Sequence, residues 1–104
     1  NSWVIPARQR WQGQITRLIS RLGSHLEEIG QATQAEEGYR RALEWDGLAE
    51  GLHQQLLRCL LRQNRIPEAM VAYRRCRTLF EAVLGRSPSP ETERIRQQWE
   101  GKNA

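Results

Sequence analysis

Over the first third of the chain, Trp11, Ile15, Leu18, Ile19, Leu22, Leu26 and Ile29 recur at spacings of three and four. On a helix they form one stripe about 100° wide, with Arg17, Ser20, Arg21, Ser24 and Glu28 opposite. The pattern predicts a first helix over residues 7–29, covered from one side and stopped by Gly30. Gly23 lies on the flank of the stripe, where a missing side chain lets another helix come close. A second helix carries Ala35, Tyr39, Ala42 and Leu43 and breaks near Asp46-Gly47. The third, over about residues 49–63, is different. Leu52, Leu56, Leu57, Leu60 and Leu61, with His53 and Cys59 between them, spread over roughly half its circumference, so it must be covered from two directions. Gln54, Arg58 and Arg62, spaced by four, line its remaining polar face.

Pro67 opens a fourth helix at a first-turn position, where its missing N–H costs nothing. Ala69, Met70, Tyr73, Cys76, Phe80, Val83 and Leu84 form its expected buried side, which runs to Gly85. The rigid turn SPSPET, residues 87–92, delivers Ser89 as N-cap and Pro90 as the first residue of a short last helix. Ile95 and Trp99, one turn apart, dock that helix. No segment reads as a strand.

The stretch AEEGYRRA, residues 35–42, returns as EAMVAYRRC, residues 68–76. Ala35 and Ala69, Tyr39 and Tyr73, Ala42 and Cys76 are each 34 residues apart, as are Gly30 and Asn64. Both Gly and Asn tolerate the left-handed conformation that ends helices. Thirty-four residues is about the length of one tetratricopeptide helix–turn–helix unit. The small residues let the second helix of each unit lie close to its partner, and the tyrosine fills the space one turn later. Stacking such pairs covers each unit's apolar face with the next. The expected fold is therefore all-α, a tetratricopeptide-like stack of two helix pairs plus a short C-terminal helix, about five helices in all. It should melt cooperatively as a monomer or weak dimer. Ala69→Trp should damage it by overpacking.

At 104 residues the chain is long enough for one domain with its own core. A 38% hydrophobic share is too high for a disordered chain, and no apolar run reaches membrane-helix length. Residues 1–10 lack the apolar centre of a signal peptide. Met70 is the sole methionine, so the chain is expected to be a fragment of a longer protein spanning residues 1–104 as one domain. Sixteen basic against twelve acidic side chains give +4, which admits nucleic acid as a partner. Arginine used as a surface helix former is the plainer account. Cys59 and Cys76 fall inside helical patterns and read as buried thiols in a reducing cytoplasm.

No catalytic constellation emerges. His25 and His53 are 28 residues apart on different helices without partners at metal-ligand spacing, and read as surface or boundary residues. Glu27, Glu28, Glu36 and Glu37 read as solvated helix charge. There is no phosphate loop and no glycine-framed serine. No enzyme activity, cofactor or metal is expected. Trp11 and Trp99 are expected in the core, Trp3 and Trp45 in partly exposed connecting segments.

These residues carry a resemblance. Gly23, Gly30, Ala35, Tyr39, Ala42, Ala69, Tyr73 and Cys76 match tetratricopeptide positions. The run from Arg40 to Thr92 resembles the bacterial transcriptional activator domain, with ALEWD…AE, EAMVAYRRCR and LGRSPSPET as its most specific features. Residues 3–8, WVIPAR, are similar to the opening segment of that family. Gly47 stands where the family usually has proline, and Asn64 where it has glycine. The family occurs in activators of the antibiotic-regulatory-protein type and in larger multidomain regulators. The resemblance implies a non-enzymatic protein-interaction module that follows a separate DNA-binding domain. Its partner would be the transcription machinery or other domains of the parent, with DNA reached only through that separate domain and no membrane involved. In tetratricopeptide-like units the first helix of each pair lines a concave face, which here would present Arg17, Ser20, Gln54, Arg58 and Arg62. The outer face would carry Arg40, Arg41, Arg74 and Arg75. Exchanging Arg58 and Arg62 for glutamate is expected to spare the fold, because exposed charges contribute little to it.

Overall fold

The computed structural model describes residues 4–103, with side chains described for residues 11–99. Five helices follow one another: α1 (Val4–Glu28), α2 (Ala32–Trp45), α3 (Glu50–Arg62), α4 (Ile66–Leu84) and α5 (Pro90–Asn103). There is no strand among the described residues. They form a tetratricopeptide-like stack of two helix pairs, α1–α2 and α3–α4, closed by α5.

The 34-residue repeat is written into the backbone. Gly30 (φ 82°) and Asn64 (φ 58°) are both left-handed. Around them the same hydrogen bonds recur at the same offset. The Gln31 N–H donates to the Leu26 carbonyl at 2.7 Å and the Arg65 N–H to Leu60 at 2.9 Å. The Gly30 N–H donates to Glu27 at 3.1 Å and the Asn64 N–H to Leu61 at 2.9 Å. This pair of bonds is the Schellman closure of a helix end, and it needs one residue at positive φ. Asparagine meets that need without glycine.

Each turn folds its second helix back against the first, and the repeated small and tyrosine positions land in the core. Ala35, Tyr39, Ala42, Ala69, Tyr73 and Cys76 are all buried. The closest approach is at Gly23, which is buried against Tyr39: a β-carbon there would overlap the Tyr39 ring. The Tyr39 hydroxyl donates back to Glu27 Oε2 at 2.9 Å. Tyr73 instead faces forward, donating to Glu93 and packing edge-on against Trp99 with centroids 5.6 Å apart. Helix α3 is central, as its wide apolar arc requires. It packs against all four other helices, and Leu52, Leu56, Leu57, Leu60 and Leu61 are buried.

Helix α5 is held by polar bonds as well as by Ile95 and Trp99, both buried. One Glu50 oxygen accepts the Ser89 N–H at 2.8 Å and the Thr92 hydroxyl at 2.5 Å, and Gln54 donates to Thr92 Oγ1 at 2.9 Å. Burial pushes the Glu50 carboxyl up, but these hydrogen bonds outweigh it and hold the group below its usual range. Ser89 does precede the first helical residue, Pro90.

The structure departs from the sequence pattern in several places. Helix α1 begins at Val4 rather than residue 7, and α5 is as long as α2 rather than short. Trp3 lies outside the described residues. Trp11, Leu18, Leu22 and Ile29 are exposed by more than half, so Trp11 is not in the core. Their stripe is wider than the strip that α2 and α3 cover. Met70, Val83 and Leu84 are exposed, Met70 even though Ala69 and Tyr73 on the same stretch of α4 are buried. His53 is not a surface residue: it is buried, with its Nε2 at 2.8 Å from the Gly47 carbonyl and its ring edge-on to Phe80. Trp45 is half exposed, and Cys59 and Cys76 are buried free thiols, as the sequence suggested. Burial pushes the two thiols up to about 11 and about 12.

Two outcomes follow from this packing. Gly23→Ala should lose about 1–3 kcal/mol, since the anchored Tyr39 ring has to shift. Gly38→Ala should gain about 0.5–1 kcal/mol, because a β-carbon there meets open space in a helix interior. Chemical denaturation of both variants checks the contrast. Burial also depresses the pKa of His53 below its ordinary 6.5, so the fold holds the neutral ring. Stability should be full above that value and fall as pH drops towards the lowered folded value. Urea titrations between about pH 7.5 and 5.5 should show this loss, and His53→Gln should reduce it.

Candidate interaction surfaces

The polar edge of α3 brings Gln54, Arg58 and Arg62 into one row, and each already holds an internal partner. Gln54 is bonded to Thr92, Arg58 pairs with Glu91 at 3.3 Å, and Arg62 pairs with Glu27 at 2.6 Å. Ser20 is met by α3 through its backbone carbonyl, which accepts from Gln55 at 3.3 Å; Arg17 is exposed one turn earlier on α1. The inner face therefore cross-links α1, α3 and α5.

The glutamates are not simply solvated charge. Glu27 receives Tyr39 and Arg62, with its side chain only 10% exposed. Glu36 receives Arg40 at 3.0 Å and both terminal nitrogens of Arg65. Burial raises the Glu36 pKa, but the Arg65 and Arg40 guanidiniums win and hold it below the carboxylate range. Arg65, which also grips Glu68, ties the α3–α4 turn to α2. No periodicity marked Arg65; its signal was its place directly after the left-handed Asn64, where a long side chain reaches back over the preceding pair. Glu28 and Glu37 are exposed.

The outer face differs. Arg40 is paired with Glu36, whereas Arg41, Arg74 and Arg75 are exposed and form no ion pair among the described residues. Arg74 and Arg75 border a shallow cleft of about 590 Å³ with Val71, Thr78, Leu79 and Ala82 on α4. A second cleft, about 250 Å³, lies between α2 and the α3–α4 pair, lined by Arg40, Leu43 and Glu44 on one side and His53, Leu56, Ala72 and Arg75 on the other. The third feature is a groove of about 330 Å³ between α1 and α2. Ile15, Ile19, Leu22 and Leu26 form one wall, Gly38, Arg41 and Trp45 the other. Half-exposed Leu22 and Trp45 give it an apolar lining. The sequence carried one signal for it: the apolar stripe of α1 is wider than a single neighbouring helix covers.

Among the described residues, no three His, Cys, Asp or Glu side chains are placed to hold a metal ion. No described helix is long and apolar enough to cross a membrane.

The pairing of Arg62 with a nearly buried carboxylate alters one expectation. Arg62→Glu should destabilise the protein by about 1 kcal/mol or more, a fall of roughly 4–8 °C in Tm, because it sets a second negative charge against Glu27. Arg58→Glu should change Tm little, since Glu91 is well exposed and its pairing is screened. Separate thermal melts of the two single variants distinguish the sites.

A family model described as the bacterial transcriptional activator domain matches residues 1–98. No curated protein and no solved structure gives a significant match.

Proposed function

Given that the chain belongs to the bacterial transcriptional activator domain family, we propose that it is a non-enzymatic protein-interaction module. It supports assembly, or contact with partner proteins, during activation of transcription. The observation that carries this reading is the apolar surface of the first helix pair. Trp11, Leu18, Leu22, Ile29 and Trp45 are each at least half exposed on a domain whose core is otherwise well covered. Concentrated apolar exposure of this kind marks surfaces that meet another macromolecule.

The arginines are the polar part of the same proposal. Arg41, Arg74 and Arg75 offer unspent planar forks suited to carboxylates. Arg17, Ser20, Gln54, Arg58 and Arg62 are the second choice, because most of that row already serves the fold. A single domain spanning residues 1–104 of a longer regulator, with operator binding in another domain, is part of this reading. A second reading rests on Arg41, Arg74 and Arg75 alone, which form no ion pair among the described residues: direct binding of nucleic acid. Phosphate contact weakens steeply with salt, so a titration of the isolated chain with duplex DNA at rising salt separates the two.

In the full-length regulator, Leu18→Gln with Leu22→Gln, and separately Arg74→Glu with Arg75→Glu, alter exposed positions only. At least one pair should lower reporter activation by more than about fivefold, the equivalent of roughly 1 kcal/mol of contact. Operator binding and the melting temperature should hold. Full activation by both folded variants would overturn the interaction reading.

A further inference from the structure

The 34-residue repeat supplies a template for what the α1–α2 groove receives. Ile19, Leu22, Gly38 and Arg41 line that groove. At an offset of 34 they become His53, Leu56, Ala72 and Arg75. Those four line the cleft whose other side is α2, through Arg40, Leu43 and Glu44. The second repeat thus shows what stands beside its first-repeat equivalent: a helix that lines the cleft with a leucine and a glutamate, Leu43 and Glu44, across from the repeated leucine, small residue and arginine. In the first repeat the floor is open, since a β-carbon on Gly38 meets nothing within 4 Å. Arg41 is exposed there without an ion pair among the described residues.

Resting on the interaction reading above, we infer that the α1–α2 groove docks an acidic amphipathic helix of a partner protein. The helix lies in the register that α2 takes on α3 and α4, with a leucine-type anchor over Leu22 and Gly38 and an adjacent carboxylate towards Arg41. Charge favours this occupant, because the chain carries +4 and the groove wall carries the Arg41 guanidinium, which forms no ion pair among the described residues. A second copy of this chain fits poorly. Its counterpart of α2 is α4, and the positions 34 residues after Leu43 and Glu44 are Arg77 and Thr78. Those bring a cation where the template has leucine, and no carboxylate to face Arg41.

The probe is a capped synthetic peptide with the α2 sequence ATQAEEGYRRALEW, residues 32–45, added to the isotope-labelled 104-residue chain. The chain's own α2 already occupies the template cleft, so the peptide is directed to the groove. Amide shifts should move saturably at Ile19, Leu22, Gly38 and Arg41. A peptide carrying Leu43→Ala should bind about tenfold more weakly, and so should the Arg41→Glu chain towards the parent peptide. A Glu44→Arg peptide should recover part of the loss on the Arg41→Glu chain. Gly38→Leu, which fills the groove without touching the core, should abolish the shifts while the rest of the spectrum stays folded. Undiminished binding by the Leu43→Ala peptide, or no shift in these four residues, would overturn the inference. So would shifts there driven by chain concentration alone, which would assign the groove to a second copy, or by duplex DNA in place of peptide. The reporter result for the Leu18 and Leu22 pair is read independently. Lost activation with no peptide shift keeps the interaction module and discards this register.

Discussion

A helix that is apolar over half its circumference has to be covered on more than one side, and α3 sets that demand for the whole molecule. Its five leucines are buried only because α1 and α2 cover one flank and α4 and α5 the other. Burying a leucine side chain fully is worth about 1.5–3 kcal/mol, so uncovering either flank would forfeit much of a small domain's stability. The left-handed turns at Gly30 and Asn64 answer this demand locally. Each folds a second helix back against its partner, at the same spacing and with the same two-bond closure of the helix end.

Apolar burial alone would leave the helices free to slide, and the junctions between them are pinned by glutamates. Glu27 receives Tyr39 of α2 and Arg62 of α3. Glu36 receives Arg65 from the α3–α4 turn. Glu50 receives the start of α5, and Glu93 receives Tyr73 of α4. Each carboxylate is at least partly shielded and hydrogen-bonded, the condition under which a charge orders a packed surface without a large desolvation cost. Ala49-Glu50 and Ser89-Pro90-Glu91-Thr92, distant in the chain, are the two ends of one such junction.

The same arrangement divides the surface. Polar groups on the α1–α3–α5 side are engaged with one another, so a partner there would have to compete with bonds the fold already makes. On the α1–α2 side the apolar wall is exposed at Leu22 and Trp45, and Arg41 forms no ion pair among the described residues. A stack grows by laying each pair on the last, and the α1–α2 groove repeats, at an offset of 34 residues, the leucine, small residue and arginine that line the cleft beside α2.

The sequence by itself determined the helices, their number, the 34-residue offset and the centrality of α3. These follow from period, glycine and proline placement, and the width of an apolar arc, all of which are local. It also placed Tyr39, Tyr73, Ile95 and Trp99 in the core and the cysteines out of reach of solvent. What only the tertiary structure decided was which part of each apolar stripe is covered and which charges meet. Trp11 and Leu22 sit on the α1 stripe like Leu26, yet coverage depends on where α2 and α3 cross it. His53 is buried because the α2–α3 turn folds over it and offers the Gly47 carbonyl. Arg62 looks like any solvated arginine until Glu27, 35 residues earlier, arrives beside it. Periodicity assigns a residue to a face of its own helix, but burial and pairing depend on neighbours brought in by the chain's path through space.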